Sequence, residues 1–334
     1  MTARSRRTAY EFFAGGGMAR IGLGPGWTCL LANDIDPKKA AAYRANFGDA
    51  DLIEGDIAAL TAADLPGAAD LAWASFPCQD LSLAGLGGGL AGARSGTVFG
   101  FWRLIRDLME DRRAPRLIAL ENVCGALTSH GGADFARLIE AFAETGYAVG
   151  ALVIDASRFT PQSRPRLFLV GLRDDAPRPA DLLADAPEGP FHTRPLIRAV
   201  HGLPKALREA HLWWRLAPPP GRGLALSDIL DTDEAALARA RLGPARTSRL
   251  IGQMSPIQRA RLAAIQAQGV RTVGAVFRRT RRGGDGERLQ RAEARFDGLA
   301  GCLRTPGGGS SRQLLLEVEG PRLEARRLTP RETA

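Results

Sequence analysis

Through its first half the chain alternates between short apolar runs and longer helical stretches. The apolar runs are Ala9–Phe13, Thr28–Asn33, Leu52–Ile53, Leu71–Phe76, Leu117–Leu120, Ala148–Ile154 and Leu167–Leu172. Helical spacing lies between them, for example over Pro37–Asn46, Gly100–Glu110 and Asp134–Thr145. Such alternation predicts an α/β domain on a doubly wound, mostly parallel seven-stranded sheet. Ligands of these sheets bind beyond the carboxyl ends of the strands, so a polar residue directly after a strand is a site candidate.

The pattern changes near Asp174. The stretch RDDAPRPADLLADAPEGPFHTRP is rich in Pro, Asp and Ala and reads as a linker. Beyond it the strand and helix signals weaken, and arginine clusters appear in VFRRTRRGGDGER (Val276–Arg288) and GCLRTPGGGSSRQ (Gly301–Gln313). The expected organisation is a first domain over 1–185, a smaller, basic, loop-rich domain over 190–320, and over 321–334 the truncated start of a segment returning to the first domain.

Composition adds a partner class. The 334 residues carry a formal net charge of +9, nearly all of it from arginine, since Lys38, Lys39 and Lys205 are the lysines. Arginine suits bidentate contacts to phosphate and guanine, which favours a nucleic-acid partner. No apolar run reaches about 18 residues, so no membrane span is expected. MTARSRRTAY lacks the apolar core of a secretory signal, which leaves the cytoplasm as the expected location. Cys29, Cys78, Cys124 and Cys302 are scattered, with no Cys-x-x-Cys pair. Neither a metal site nor a disulfide framework is expected.

Chemistry gathers after the strands. YEFFAGGGMARIGLG (Tyr10–Gly24) places Gly15, Gly16 and Gly17 behind the first apolar run, with Arg20 where a dinucleotide fingerprint has its third glycine. Glycines there let the backbone turn sharply beside a ligand; a plain strand–helix turn also explains them. Asp34 closes the second run and Asp56, in EGDI, follows the third. Together these positions describe a pocket for a nucleoside-containing ligand; the alternative is that both acids are helix N-caps.

Cys78 follows the fourth run in WASFPCQDLS, and Glu121 follows the fifth in LIALENV. If those strands are neighbours, both side chains reach one edge of the sheet. A thiolate nucleophile beside a carboxyl group suggests covalent catalysis. Gln162, Arg164 and Arg166 alternate in TPQSRPRLFLV. In an extended chain they share a face that can hold an anion, or they form a solvated edge.

The ordered set resembles the DNA (cytosine-5) methyltransferases over most of the chain. Phe13–Gly17 is similar to the family's first cofactor motif, Asp34 and Asp56 to the next two, Pro77-Cys78-Gln79 to the catalytic motif, Glu121-Asn122-Val123 to the one after it, and Gln162-x-Arg164-x-Arg166 to the arginine motif. The resemblance implies a Rossmann-like methyltransferase fold with a target-recognition domain, S-adenosylmethionine as cofactor and double-stranded DNA as partner. Phe13, Ala14, Gly15 and Gly17 would line the methionine side, Asp34 would take the ribose, and Ile35, Asp56 and Ile57 the adenine, with Pro77 and Val98 also carried over. Ile35 stands where the family often has an aromatic residue, and Met18 replaces a common glycine.

The implied reaction is methyl transfer to C5 of a flipped cytosine through a covalent Cys78 adduct, with Glu121 and Arg166 on the base and Arg164 supporting the catalytic loop. Gln79, Ser82, Gln162, Arg304, Thr305, Gly307 and Gly308 would meet DNA. Arg278, Arg279, Arg281 and Arg282 are candidates for phosphate contacts or for a solvated loop. The glycine-rich stretch Asp80–Gly96 fits a lid or an ordinary surface loop. RRLTPRETA (Arg326–Ala334) resembles the opening of the ninth motif, and the tenth does not follow. A truncated, inactive DNA-binding remnant, a fragment of a longer chain, and a split enzyme whose missing motif comes from a separate polypeptide all fit that ending. A tRNA cytosine-5 methyltransferase is a further alternative.

Overall fold

Strand and helix alternate from the N-terminus much as the apolar pattern predicts. A computed structural model of the chain describes residues 6–76, 97–282, 287–303 and 312–333, and of Thr97, Arg281 and Arg282 only the backbone. The chain divides into two compact units. The first comprises Met1–Ile154 and Arg166–Pro218, the second Asp155–Pro165 and Pro219–Ala334.

The first unit begins β1 (Arg7–Phe12), α1 (Met18–Leu23), β2 (Trp27–Asp34), α2 (Pro37–Phe47), β3 (Leu52–Glu54) and β4 (Leu71–Ala74). It continues with α3 (Thr97–Glu110), β5 (Leu117–Val123), α4 (Ala133–Glu144), β6 (Tyr147–Asp155) and β7 (Pro165–Arg173). These strands form a seven-stranded sheet in the order β3-β2-β1-β4-β5-β7-β6. All pairs from β3 to β5 are parallel, while β7 runs antiparallel to β5. The chain first builds outward from β1 to β3 and then returns to place β4 on the other side of β1. The switch point therefore lies at the carboxyl ends of β1 and β4, where such sheets open a ligand crevice.

Apolar burial fixes this arrangement. On α3, Phe101, Leu104, Ile105 and Leu108 recur at helical spacing and are all buried against the sheet core. Phe12 meets Phe101 edge-on at 5.5 Å, and Trp102 meets Phe142 at 4.9 Å. Each such side chain contributes about 1.5–3 kcal/mol by leaving water.

Two expectations need revision. Glu121 does not follow the fifth strand; it lies inside it. β5 runs to Val123 because β7 extends the ladder, pairing Phe168 with Glu121 and Arg166 with Val123. The stretch expected as a linker is part of the first unit. It carries β8 (Leu183–Ala184), followed by α5 (Arg194–His201), α6 (Lys205–Ala210) and β9 (Trp213–Trp214), which pairs with β8. Phe191, Leu212 and Trp214 cover the apolar face left by Ala148, Leu152 and Leu172. The many Pro and Asp residues conceal these few apolar anchors in the sequence.

The second unit contains α7 (Glu234–Ala240), α8 (Pro244–Gly252) and α9 (Pro256–Ala267), then β10 (Thr272–Arg282), β11 (Arg288–Arg295), β12 (Leu314–Glu319), β13 (Arg322–Arg327) and α10 (Pro330–Thr333). It is less loop-rich than the sequence suggests: the strands form one antiparallel sheet, β11-β10-β12-β13. Leu250, Met254, Val276, Leu314, Leu316 and Val318 make its core. Residues 321–333 belong to this second unit rather than beginning a return to the first, because β13 pairs with β12. They close it through a buried ion pair, Arg326 with Glu332 at 2.7 Å, and a second bond from Arg326 to Glu317 at 2.6 Å. Among the described residues no helix is long and apolar enough to cross a membrane.

Candidate active site

The ends of β1, β2 and β3 are knitted by backbone groups. After Phe12 the chain turns through Phe13 (φ 57°), Gly15 (φ 59°) and Gly17 (φ 84°), all left-handed. Phe13 is the strained member, since a side chain there is uncommon. Ala14 N donates to Asn33 O at 2.9 Å, and Gly15 N to Asp34 Oδ2 at 2.9 Å. Asn33 Nδ2 in turn donates to Ile53 O and Gly55 O. Gly17 is demanded twice over: besides its φ, a Cβ there would meet Phe47 at 2.3 Å.

The acids divide. Asp34 is 3% exposed, and its second oxygen accepts from Asp36 N at 2.9 Å. Its carboxylate therefore organises the loop, although each oxygen retains a further acceptor position. The helix cap of α2 is Asp36 rather than Asp34. Asp56 is exposed and caps a short 3-10 turn by accepting from Ala58 N at 2.9 Å. Beside it Ile35 is 59% exposed, an apolar surface at the end of β2. Ile57 and Val98 are different. Both side chains are buried in the core, so a ligand could meet only their main chain. Nothing lies within 4 Å of a Cβ built on Gly15, which leaves the loop open. An open glycine turn, an exposed apolar side chain and two carboxylates fit a nucleoside carrying an amino-acid tail.

Pro77, Cys78, Gln79 and Ser82 lie outside the described residues. The chain leading to them is well anchored. Ser75 N donates to Phe12 O at 3.3 Å, and Asn122 Nδ2 donates to Phe76 O at 3.1 Å. Next to this segment stands Glu121. Its Oε1 is 3.2 Å from Arg166 Nε, and its Oε2 accepts from Ser75 Oγ at 2.9 Å. Ser75 Oγ accepts in turn from Trp73 Nε1 at 2.9 Å. The strand register explains the contact. Arg166 opposes Val123 and Phe168 opposes Glu121, so Arg166 and Glu121 are diagonal neighbours on one face. Because β7 is antiparallel, its first residues stand at the same edge as the carboxyl end of β5.

Sequence reasoning missed Ser75 and Trp73. Their available signal was alternation: Trp73 and Ser75 share a side of the chain just before the cysteine. It also missed Glu11 on β1. That side chain is 3% exposed and its Oε2 has no hydrogen-bond partner, while Oε1 accepts from Ala19 N at 3.2 Å. Desolvation pushes its carboxyl up to about 7, against the opposing backbone bonds from α1. Burial likewise raises the Cys29 thiol to about 11, which leaves it a poor nucleophile.

The arginine motif does not form one strand face. β7 begins at Pro165, and the units part between Pro165 and Arg166. In the second unit, Gln162 Oε1 accepts from Leu303 N at 3.3 Å. Arg164 Nη1 lies 3.2 Å from Cys302 Sγ and 3.1 Å from Leu303 O. Both residues thus brace the chain just before Arg304. Arg304, Thr305, Gly307 and Gly308, and the Asp80–Gly96 loop that Arg164 was expected to support, fall outside the described residues.

Residues 8–334 match the model of the C-5 cytosine-specific DNA methylase family. The chain belongs to this family. Among similar DNA methylases are the type II methyltransferases M.BsuFI of Bacillus subtilis, 34% identical over 50% of this chain and 40% of that protein, and M.HpaII of Haemophilus parainfluenzae, 34% identical over 50% and 46%. The chain thus spans about half, or less, of the length of the curated relatives it matches. The methyltransferase fold is seen again in S. pombe Dnmt2, with a TM-score of 0.50 and 18% identity over 75% of this chain and 67% of that one.

Proposed function

We propose that the protein transfers a methyl group from S-adenosylmethionine to C5 of a cytosine flipped out of duplex DNA, through a covalent adduct at Cys78. The observation that carries this reading is Glu121, held by Arg166 and Ser75 beside the segment that leads to Cys78. Family membership supports the reaction type.

Cytosine C5 is a weak nucleophile. Bond formation between the Cys78 sulfur and C6 pushes electrons onto the ring and makes C5 enamine-like. Glu121 shares a proton with N3 of the base, and Arg166 contacts O2, so the charge that develops on the ring meets groups already in place. When bound, S-adenosylmethionine supplies an electrophilic methyl group on a sulfonium. C5 would gain the methyl group as its bond to the sulfonium breaks and a neutral thioether leaves; a base then removes the C5 proton, the C6–sulfur bond breaks and the thiolate is regenerated. The target must leave the helix stack for Cys78 to reach C6.

Phe13 to Gly17 would hold the methionine part, with Pro77 and the main chain at Val98. Asp34 would take the ribose with its remaining acceptor positions, and Ile35, Asp56 and the main chain of Ile57 the adenine. In the second unit Gln162, Arg304, Thr305, Gly307 and Gly308 would meet DNA, as would Gln79 and Ser82 in the first. The type II names of the relatives support a restriction–modification setting on bacterial DNA in the cytoplasm. No comparison supports a separate polypeptide partner.

The test is transfer from tritiated S-adenosylmethionine to duplex DNA of varied sequence, with tRNA in parallel, and trapping on 5-fluorocytosine duplex. Transfer to DNA and a trapped complex that disappears in Cys78→Ala are expected. Neither transfer nor trapping on any duplex would sink the proposal.

A further inference from the structure

The second unit contains a cavity of about 340 Å³ lined by five arginines, Arg246, Arg249, Arg278, Arg312 and Arg327. Among the described residues no acid lines it. Elsewhere in the same unit arginines sit against carboxylates: Arg241 with Glu324 at 3.0 Å, Arg295 with Asp297 at 2.6 Å, Arg326 with Glu332 at 2.7 Å. Among the described residues none of the five cavity arginines has such a partner, and Arg278 Nε is buried without any hydrogen bond.

Strand register shows that this is an assembled site rather than a chance crowding of surface charge. Val276 opposes Leu314, and Leu314 opposes Arg327, so all three point to one face of the sheet. Arg278 stands two residues after Val276 on that same side, and Arg312, two residues before Leu314, lies toward the same end of this antiparallel pair and also lines the cavity. Val276 and Leu314 pack with Leu250 of α8 in the apolar core. Past that core the same face turns basic, and α8 supplies Arg246 and Arg249, three residues apart, from above. Thr247 Oγ accepts from Ala325 N at 3.2 Å and pins the helix over β13. Four separate chain segments thus bring guanidinium groups to one concave surface. Like charges gathered without a counter-ion repel one another, and planar guanidinium forks match the oxygens of a phosphate.

We propose that this cavity is a phosphate-binding site. Resting on the reading of the protein as a DNA methyltransferase, the group it seats is a backbone phosphate of the duplex; a free phosphate offers the same chemistry. Arg278 was a candidate phosphate contact from sequence alone, whereas Arg246, Arg249, Arg312 and Arg327 join it only through the fold.

The double variant Arg246→Gln/Arg327→Gln tests the site in two arms. In the first, thermal unfolding is followed with inorganic phosphate against chloride at matched ionic strength. Phosphate should raise the midpoint of the parent protein and not that of the variant. In the second, duplex binding is measured by anisotropy across about 50–200 mM sodium chloride. The variant should bind about tenfold more weakly, and the slope of log affinity against log salt should shrink by about one. Loss in both arms supports a backbone phosphate. Loss of the phosphate response with unchanged duplex binding supports the site and assigns it to a free phosphate. No change in either arm, with the variant folded in chloride, overturns the proposal. Arg312→Gln, at an exposed position, repeats both arms if the pair fails to fold. The phosphate arm reads the cavity even if the parent protein neither methylates nor traps DNA, so failure of the proposed function remains separate.

Discussion

Two regions, one in each unit, treat charge in opposite ways. At the edge of the first sheet, Glu121 is matched by Arg166 and Ser75, and Asp34 by two backbone N–H groups. On the face of the second sheet, five arginines share a cavity that no acid lines among the described residues. A site that handles transient charge on a ring needs its counter-charges fixed in advance, because reorganisation during the reaction raises the barrier. A surface that takes up a polyanion needs the reverse. Internal pairing there would have to be broken before the ligand could bind. On the proposed function, the pattern of satisfied and unsatisfied charge separates chemistry from grip.

Removing a matched charge should cost the most. Glu121→Gln should lower single-turnover methyl transfer by about a thousandfold, and a loss below tenfold would place the proton work elsewhere. Glu11 is an exception within the first unit, a buried carboxyl with one oxygen unmatched, and it predicts a pH effect. Its folded pKa, about 7, is above the ordinary value of 4.5, so the folded state keeps a proton that the unfolded chain has released. Stability contributed by this group is present below about 4.5 and is lost as pH rises toward 7, by about 3 kcal/mol in all. Urea unfolding at pH 5 and pH 8 measures it, and Glu11→Gln should flatten that dependence and be the more stable protein at pH 8.

Gly17→Ala should destabilise by about 2 kcal/mol, from the left-handed φ and the approach to Phe47. A neutral result in urea unfolding would mean that the turn relaxes freely. Ser75→Ala removes one bond to Glu121 and should slow transfer about fivefold, near 1 kcal/mol, with substrate affinity unchanged. An unaltered rate would reduce Ser75 to a packing residue. Smallest of all, Arg327→Gln should shift unfolding stability by no more than about 0.5 kcal/mol, and upward, since it relieves repulsion. A clear loss would show that this arginine is paired within the fold and would blur the contrast between the units.

Much of the first unit is legible along the chain. Runs such as CLLAN and LAWAS are buried on both faces of a parallel sheet, so their apolar character is continuous and local. The glycine turn is legible for a similar reason, because only glycine tolerates the backbone at Gly17. The second unit is harder to read. Its strands VGAVFRRTRR and RLQRAEAR are half apolar and half charged, and an antiparallel sheet with one open face needs no more than that. The stretch from Arg173 to Pro195 misleads because Phe191 and Leu183 are few among many Pro and Asp residues, yet they cap the end of the sheet.

By itself, then, the sequence determined the order of strands and helices in the first unit, the sharp turn after β1 and the candidate residues near each strand end, all of which depend on neighbours a few positions apart. Only the tertiary structure decided which of those residues meet. The antiparallel entry of β7 puts Arg166 against Glu121, and the register of β10, β12 and β13 gathers distant arginines above one face. Strand pairing is a long-range choice, made by burial of the whole sheet rather than by any segment, and no local pattern carries it.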